Sequence, residues 1–83
     1  MRRMTGTSKF RFLLTCIKAP KCKVFFEPEG AEVELAAGDL FTVEITGPEL
    51  DGLEISFVPD GIIVGAYGAE TRAWNRAGEE LKI

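Results

Sequence analysis

Apolar and polar residues alternate along most of this chain, and turn-forming residues interrupt the alternation at short, regular intervals. Phe10, Phe12, Leu14 and Cys16 interleave with Arg11, Leu13, Thr15 and Ile17, the period of two that sends successive side chains to opposite faces of a β-strand. Ala19-Pro20-Lys21 predicts a reversal into a second strand, where Cys22, Val24 and Phe26 alternate with Lys23, Phe25 and Glu27. Pro28-Glu29-Gly30 closes it. A third strand is expected at 32–35 with Val33 and Leu35 inward, and Ala37-Gly38-Asp39 reverses the chain with the glycine at positive φ. Phe41, Val43 and Ile45 form the inner face of a fourth strand, and Leu53, Ile55 and Phe57 that of a fifth. Pro59-Asp60-Gly61 predicts a hairpin into a sixth, with Gly61 in the left-handed position. Residues 71–74 and 81–83 flank Asn75-Arg76-Ala77-Gly78, which suits a last hairpin around a type I turn.

No segment offers apolar residues at i, i+3, i+4 and i+7 over three turns, so no long helix is expected. The architecture predicted is all-β: an antiparallel β-sandwich of jelly-roll-like form with about eight short strands, and a small closed barrel as second choice. A single open sheet would leave an apolar face in water. Residues 1–8 lack periodicity and read as a mobile basic arm, leaving 9–83 as a single β domain. With 83 residues there is room for one core. No apolar run is long enough to span a membrane, and the stretch at 12–17 is too short for the hydrophobic region of a signal peptide, so the expectation is a cytoplasmic protein.

Charge is unevenly distributed. Residues 1–23 carry seven Lys or Arg and no acid, and residues 24–83 carry thirteen acids against three bases. One reading is a basic segment for an acidic partner. The other is internal: the basic first hairpin lies beside Glu32, Glu34, Glu44 and Glu54, with charges paired across strands. The second is favoured, and the net charge of −3 argues against nucleic acid as a partner.

The catalytic inventory is thin. Without histidine there is no imidazole base and none of the usual histidine metal sites. Glu32 and Glu34 share a strand face, yet no pattern implies a pocket that would separate their pKa values. Asp39, Asp51 and Asp60 each have a turn role that accounts for them without calcium. Cys16 and Cys22 could face each other across a hairpin; in a reducing cytoplasm two free thiols are expected, and with no third soft ligand they make a poor zinc site. No enzyme activity, metal or cofactor is expected.

Two functional readings remain. Strands one, two and six carry apolar residues on both faces, through Leu13 and Ile17, Phe25, and Ile63, which predicts an interaction or assembly module that self-associates as a homo-oligomer or covers another protein. The alternative is a ligand site at Tyr67, Arg72 and Trp74, where aromatic faces and a guanidinium could hold a small polar molecule or a carbohydrate.

The segments Glu27-Pro28-Glu29-Gly30 and Leu35-Ala36-Ala37-Gly38-Asp39 resemble an E-P-x-G element and an L-x-x-G-D turn of small uncharacterised bacterial β-domain proteins, over about a sixth of the chain. The Pro59-Asp60-Gly61-Ile62 turn and the segment from Trp74 to Gly78 look similar too. The L-x-x-G-D piece is also similar to a turn of cupin jelly rolls, which implies a fold and not a metal, since the histidine motif is missing. The alternative function is accordingly a cupin-like jelly roll without metal.

Overall fold

The computed structural model describes residues 7–48 and 52–83, and these form seven strands with no helix among them. In chain order they are β1 (Ser8–Thr15), β2 (Lys21–Glu27), β3 (Ala31–Ala36), β4 (Leu40–Gly47), β5 (Leu53–Val58), β6 (Gly61–Ala66) and β7 (Glu70–Trp74). They build two sheets, a three-stranded one ordered β1-β4-β7 and a four-stranded one ordered β3-β2-β6-β5. Neither closes into a barrel. Among the described residues no helix is long and apolar enough to cross a membrane.

Register explains the burial. Phe10, Phe12 and Leu14 of β1 lie opposite Ile45, Val43 and Phe41 of β4, and Thr71 and Ala73 of β7 continue the same face. In the second sheet Val24 lies between Val33 and Ile62, and Phe26 between Ala31 and Val64. Both faces feed one cluster, in which Phe26, Leu35, Ile45, Val43, Val64 and Cys16 are fully buried. Each large side chain removed from water there contributes about 1.5–3 kcal/mol. Even-numbered residues of β1, β2 and β6 and odd-numbered residues of β3, β4, β5 and β7 face this layer, as the alternation within each strand sets.

Several expectations are corrected. β1 and β2 do not form a hairpin: Ala19-Pro20-Lys21 carries the chain from one sheet to the other, so β1 pairs β4 while β2 pairs β3 and β6. The β2–β6 pair is parallel, so the four-stranded sheet is mixed and differs from an all-antiparallel, eight-stranded jelly roll. Among the described residues seven strands stand where about eight were expected. Residues 81–83 are held beside β7 by a single bridge, Trp74 to Glu80, and by the Leu81 amide donating to the Ala73 carbonyl at 2.8 Å. The expected arm at 1–8 falls, for residues 1–6, outside the described residues, and Ser8 pairs with Gly47 as the first residue of β1.

The β5–β6 hairpin is present, with Val58 opposite Gly61 around Pro59-Asp60. Gly61, however, is not at positive φ. Glycine is required there because the parallel register sets it against Lys23, and a Cβ would lie 2.0 Å from the Lys23 carbonyl oxygen. Gly38 does take the left-handed conformation, φ 78°, in the turn before β4.

Candidate functional site

The outer face of the three-stranded sheet collects the polar residues that alternation turns away from the core. Arg11, Glu44 and Arg72 form one row across β1, β4 and β7; Leu13, Thr42 and Trp74 form the next. Arg11 donates to Glu44 Oε2 at 2.7 Å, and Lys9 approaches the same oxygen at 3.9 Å. Arg72 makes a two-pronged bond to Glu80, Nε to Oε2 at 2.9 Å and Nη2 to Oε1 at 2.8 Å. The guanidinium carbons of Arg72 and Arg11 lie 5.1 and 5.9 Å from the Trp74 ring centroid, within cation–π range.

Electrostatics fix the charge states. The hydrogen bond from Arg11 holds the Glu44 carboxyl below the usual carboxylate range, aided by the charges of Lys9, Arg11 and Arg72 and against the desolvation of a side chain that is almost wholly buried. The Arg72 bond lowers Glu80 likewise, and Glu80 raises Arg72 in return. Neither carboxyl is raised toward neutrality, as a general acid would need.

Beside this cluster lies an open depression of about 330 Å³ lined by Arg11, Thr42, Trp74, Asn75, Arg76 and Gly78. Three of its polar side chains are already engaged. Arg11 holds Glu44, Arg76 donates to the Gly38 carbonyl at 2.7 Å, and the Asn75 amide exchanges bonds with Glu79, donating at 3.0 Å and accepting at 2.9 Å. A polar ligand recognised by these three side chains would have to displace their bonds. Of the three residues expected to form a ligand site, Arg72 and Trp74 come together and Tyr67 does not join them. Tyr67 sits in the β6–β7 turn with its ring over Gly65, which belongs to the outer face of the other sheet.

Four residues of the basic segment have carboxylate partners within the chain. Besides Lys9 and Arg11 on Glu44, Lys21 lies 3.5 Å from Glu34 and Lys23 3.4 Å from Glu32. Three of the four carboxylates expected in this role take it. Arg11, Glu44 and Glu80 were missed as partners of the Trp74 region, although strict alternation had already placed Arg11 and Glu44 on outer faces.

The sheet edges differ in how they are guarded. At β7 the C-terminal segment covers the edge. The outer face of β3 carries Glu32 and Glu34, and that of β1 carries Lys9 and Arg11, charges that oppose pairing with another strand. β5 reads Leu-Glu-Ile-Ser-Phe-Val, with one charge, Glu54. Its inward row, Leu53, Ile55 and Phe57, continues the core face past Ala66, Val64 and Ile62, yet Phe57 is 86% and Ile55 44% exposed. The fourth strand of this sheet extends past what the three-stranded sheet covers. Phe25 and Ile63, opposite each other on the outer face, are half-buried.

Compared with known proteins, the chain matches no family model, no curated protein and no solved structure.

Proposed function

We propose that the protein is a non-enzymatic assembly module, acting in the cytoplasm as a homo-oligomer whose subunits join along β5. The observation that carries this reading is the β5 edge, which none of the described residues covers, with Phe57 86% exposed on a core-facing row. Unpaired backbone N–H and C=O groups along such an edge template pairing with another strand, and natural edges ordinarily oppose this with charge, proline or cover. A two-fold antiparallel pairing centred on Ser56 sets Ile55 against Phe57 of a second copy and Glu54 against Val58, so no like charges oppose and the apolar row is closed. Joining the two sheets this way adds the apolar burial that a short chain lacks by itself. Of the doubly apolar strands that first suggested self-association, β2 and β6 contribute less, since Phe25 and Ile63 shield each other within one sheet, whereas Leu13 of β1 and Ile17 just beyond it are 60% and 70% exposed.

Light scattering across a wide concentration range tests the proposal. The expected result is twice the chain mass, returning to a single chain mass in Phe57→Lys with an unchanged far-ultraviolet circular dichroism spectrum. Leu13→Lys, at a position 60% exposed on the other sheet, is expected to leave the oligomer intact. A monomeric wild type at the highest concentration overturns the reading, and a Phe57→Lys oligomer overturns its placement at β5.

A further inference from the structure

The two cysteines meet at the crossover from β1 to β2, one of the connections by which the chain passes between the two sheets. Cys16 follows β1 and is fully buried; its amide donates to the Asp39 carbonyl at 3.2 Å and its carbonyl accepts from the Gly38 amide at 2.9 Å. Pro20, at the far end of the crossover, accepts from the Ala37 amide at 3.1 Å. Both ends of the connection are therefore pinned to the turn between β3 and β4. Cys22 lies on β2 opposite Leu35, whose side chain is in the core. The two backbones are fixed by independent hydrogen bonds, and their sulfur atoms stand 2.7 Å apart.

That juxtaposition has one chemistry available. Among the described residues no third His, Cys, Asp or Glu joins the pair, so it is not a metal-binding group. Two convergent thiols instead undergo two-electron oxidation, and closing the bond needs only a short further approach, to about 2.05 Å. The thiols also differ in access. Cys22 is half-buried and lines a cleft of about 150 Å³ between Leu14 and Thr15 of β1 and Gly61 and Ile62 of β6. Cys16 has no exposure, and the hydrogen bond with Cys22, together with burial, pushes its thiol up to about 11.

We propose that Cys16 and Cys22 are an oxidation site, closed to an intramolecular disulfide by exchange with a low-molecular-weight disulfide, with Cys22 attacking first. The Cys22 thiolate attacks one sulfur of the small disulfide; that S–S bond breaks, and the first small thiolate leaves with its electron pair and takes up a proton. Cys16, its proton lost to solvent or to that thiolate, then attacks the Cys22 sulfur of the mixed disulfide and expels the second small thiol. Two protein thiols and one small disulfide become one protein disulfide and two small thiols. The bridge closes a short loop across the crossover and ties the end of β1 to the start of β2, strands that share no backbone ladder.

Oxidised glutathione is the probe, with intact-mass measurement after denaturing alkylation as the readout. The expected product has lost two hydrogens, carries no glutathione and takes up no alkylating agent; dithiothreitol restores both thiols. Its thermal midpoint is expected to rise by about 10 °C over the reduced protein, from the loop entropy removed from the unfolded chain. Cys16→Ala is expected to accumulate one stable glutathione adduct, at Cys22, whereas Cys22→Ala reacts far more slowly. Persistence of two alkylatable thiols in the wild type, or a stable glutathione adduct on it, overturns the proposal. Equal adduct rates in the two variants overturn the order of attack, and the wild-type mass stands as a test even where a variant fails to fold.

Discussion

Replacing Gly61 distinguishes two physical reasons for a glycine at one position. An alanine Cβ there would meet three backbone atoms of Lys23: the carbonyl oxygen at 2.0 Å, its carbon at 2.8 Å and Cα at 3.1 Å. No side chain can rotate away, because every obstacle is main chain, so the start of β6 must move off β2 by an ångström or more. Overpacking of this kind costs about 1–3 kcal/mol, and a parallel ladder hydrogen bond lost with it about 0.5–1.5. Gly61→Ala is therefore expected to destabilise by about 2–4 kcal/mol, a large share of the roughly 4–12 kcal/mol typical of a chain this long. In urea, where small domains lose on the order of 1 kcal/mol per molar, the midpoint falls by about 2–4 M. Gly61→Asn separates the causes. Asparagine is well tolerated at left-handed positions, so a conformational requirement predicts that it outperforms alanine by about 1 kcal/mol. The close approach to Lys23 predicts that asparagine is no better than alanine. Gly52→Ala, which has open space around its Cβ, serves as the control and is expected to stay within about 0.5 kcal/mol of wild type. A Gly61→Ala protein as stable as that control, or a clear advantage for asparagine, would refute the steric account.

Phe26→Ala removes a wholly buried ring from between Ala31 and Val64 and is expected to cost about 3–5 kcal/mol in chemical denaturation. Glu44 adds a pH dependence. Its pKa is lowered in the folded protein by Arg11, so the stabilisation is complete above its unfolded value near about 4.3 and is lost as pH falls through the folded value. Denaturation midpoints measured from pH 7 downward should fall in the acid range for the wild type and fall less steeply for Glu44→Gln. Exposed pairs should matter little: Lys23→Ala, which breaks the contact with Glu32, is expected to change stability by less than about 1 kcal/mol through lost charge, and added salt should shrink the difference.

The period of two was enough to locate the seven strands of the described residues and to say which side chains share the core-facing side of each, because alternation is a local property that neither sheet order nor strand direction alters. Leu35, Val43 and Ile45 could be read as buried for that reason. The turn chemistry was informative where it acts locally, as at Gly38, and misled where a residue answers to a distant neighbour. Gly61 looks like a turn glycine until Lys23, thirty-eight residues earlier, is set beside it. Ala19-Pro20-Lys21 reverses the chain equally well within a sheet or between sheets, so the crossover from β1 to β2 could not be told from a hairpin. The ligand-site expectation shared this weakness. Arg72 and Trp74 are two apart on one strand and had to share a face, whereas Tyr67 lies in the turn before that strand and its ring lands on the outer face of the other sheet. The exposure of Phe57 was invisible for a related reason, since an edge exists only once the strand order is known.

The parallel β2–β6 pair also sets a timetable for folding. Two hairpins, β2–β3 and β5–β6, are the contacts that nearby residues can make alone; every other ladder joins strands far apart in the chain. Because β2 and β6 run the same way, neither hairpin can reach the other by simple zipping, and each must form and then dock side by side. During synthesis β1 has no ladder until β4 emerges, and β2, paired early with β3, gains its second ladder only when β6 does. A domain of this connectivity belongs with proteins that fold in milliseconds to seconds rather than microseconds. The residue at the docking point is Gly61, so a side chain placed there obstructs the meeting of the hairpins as well as the finished sheet.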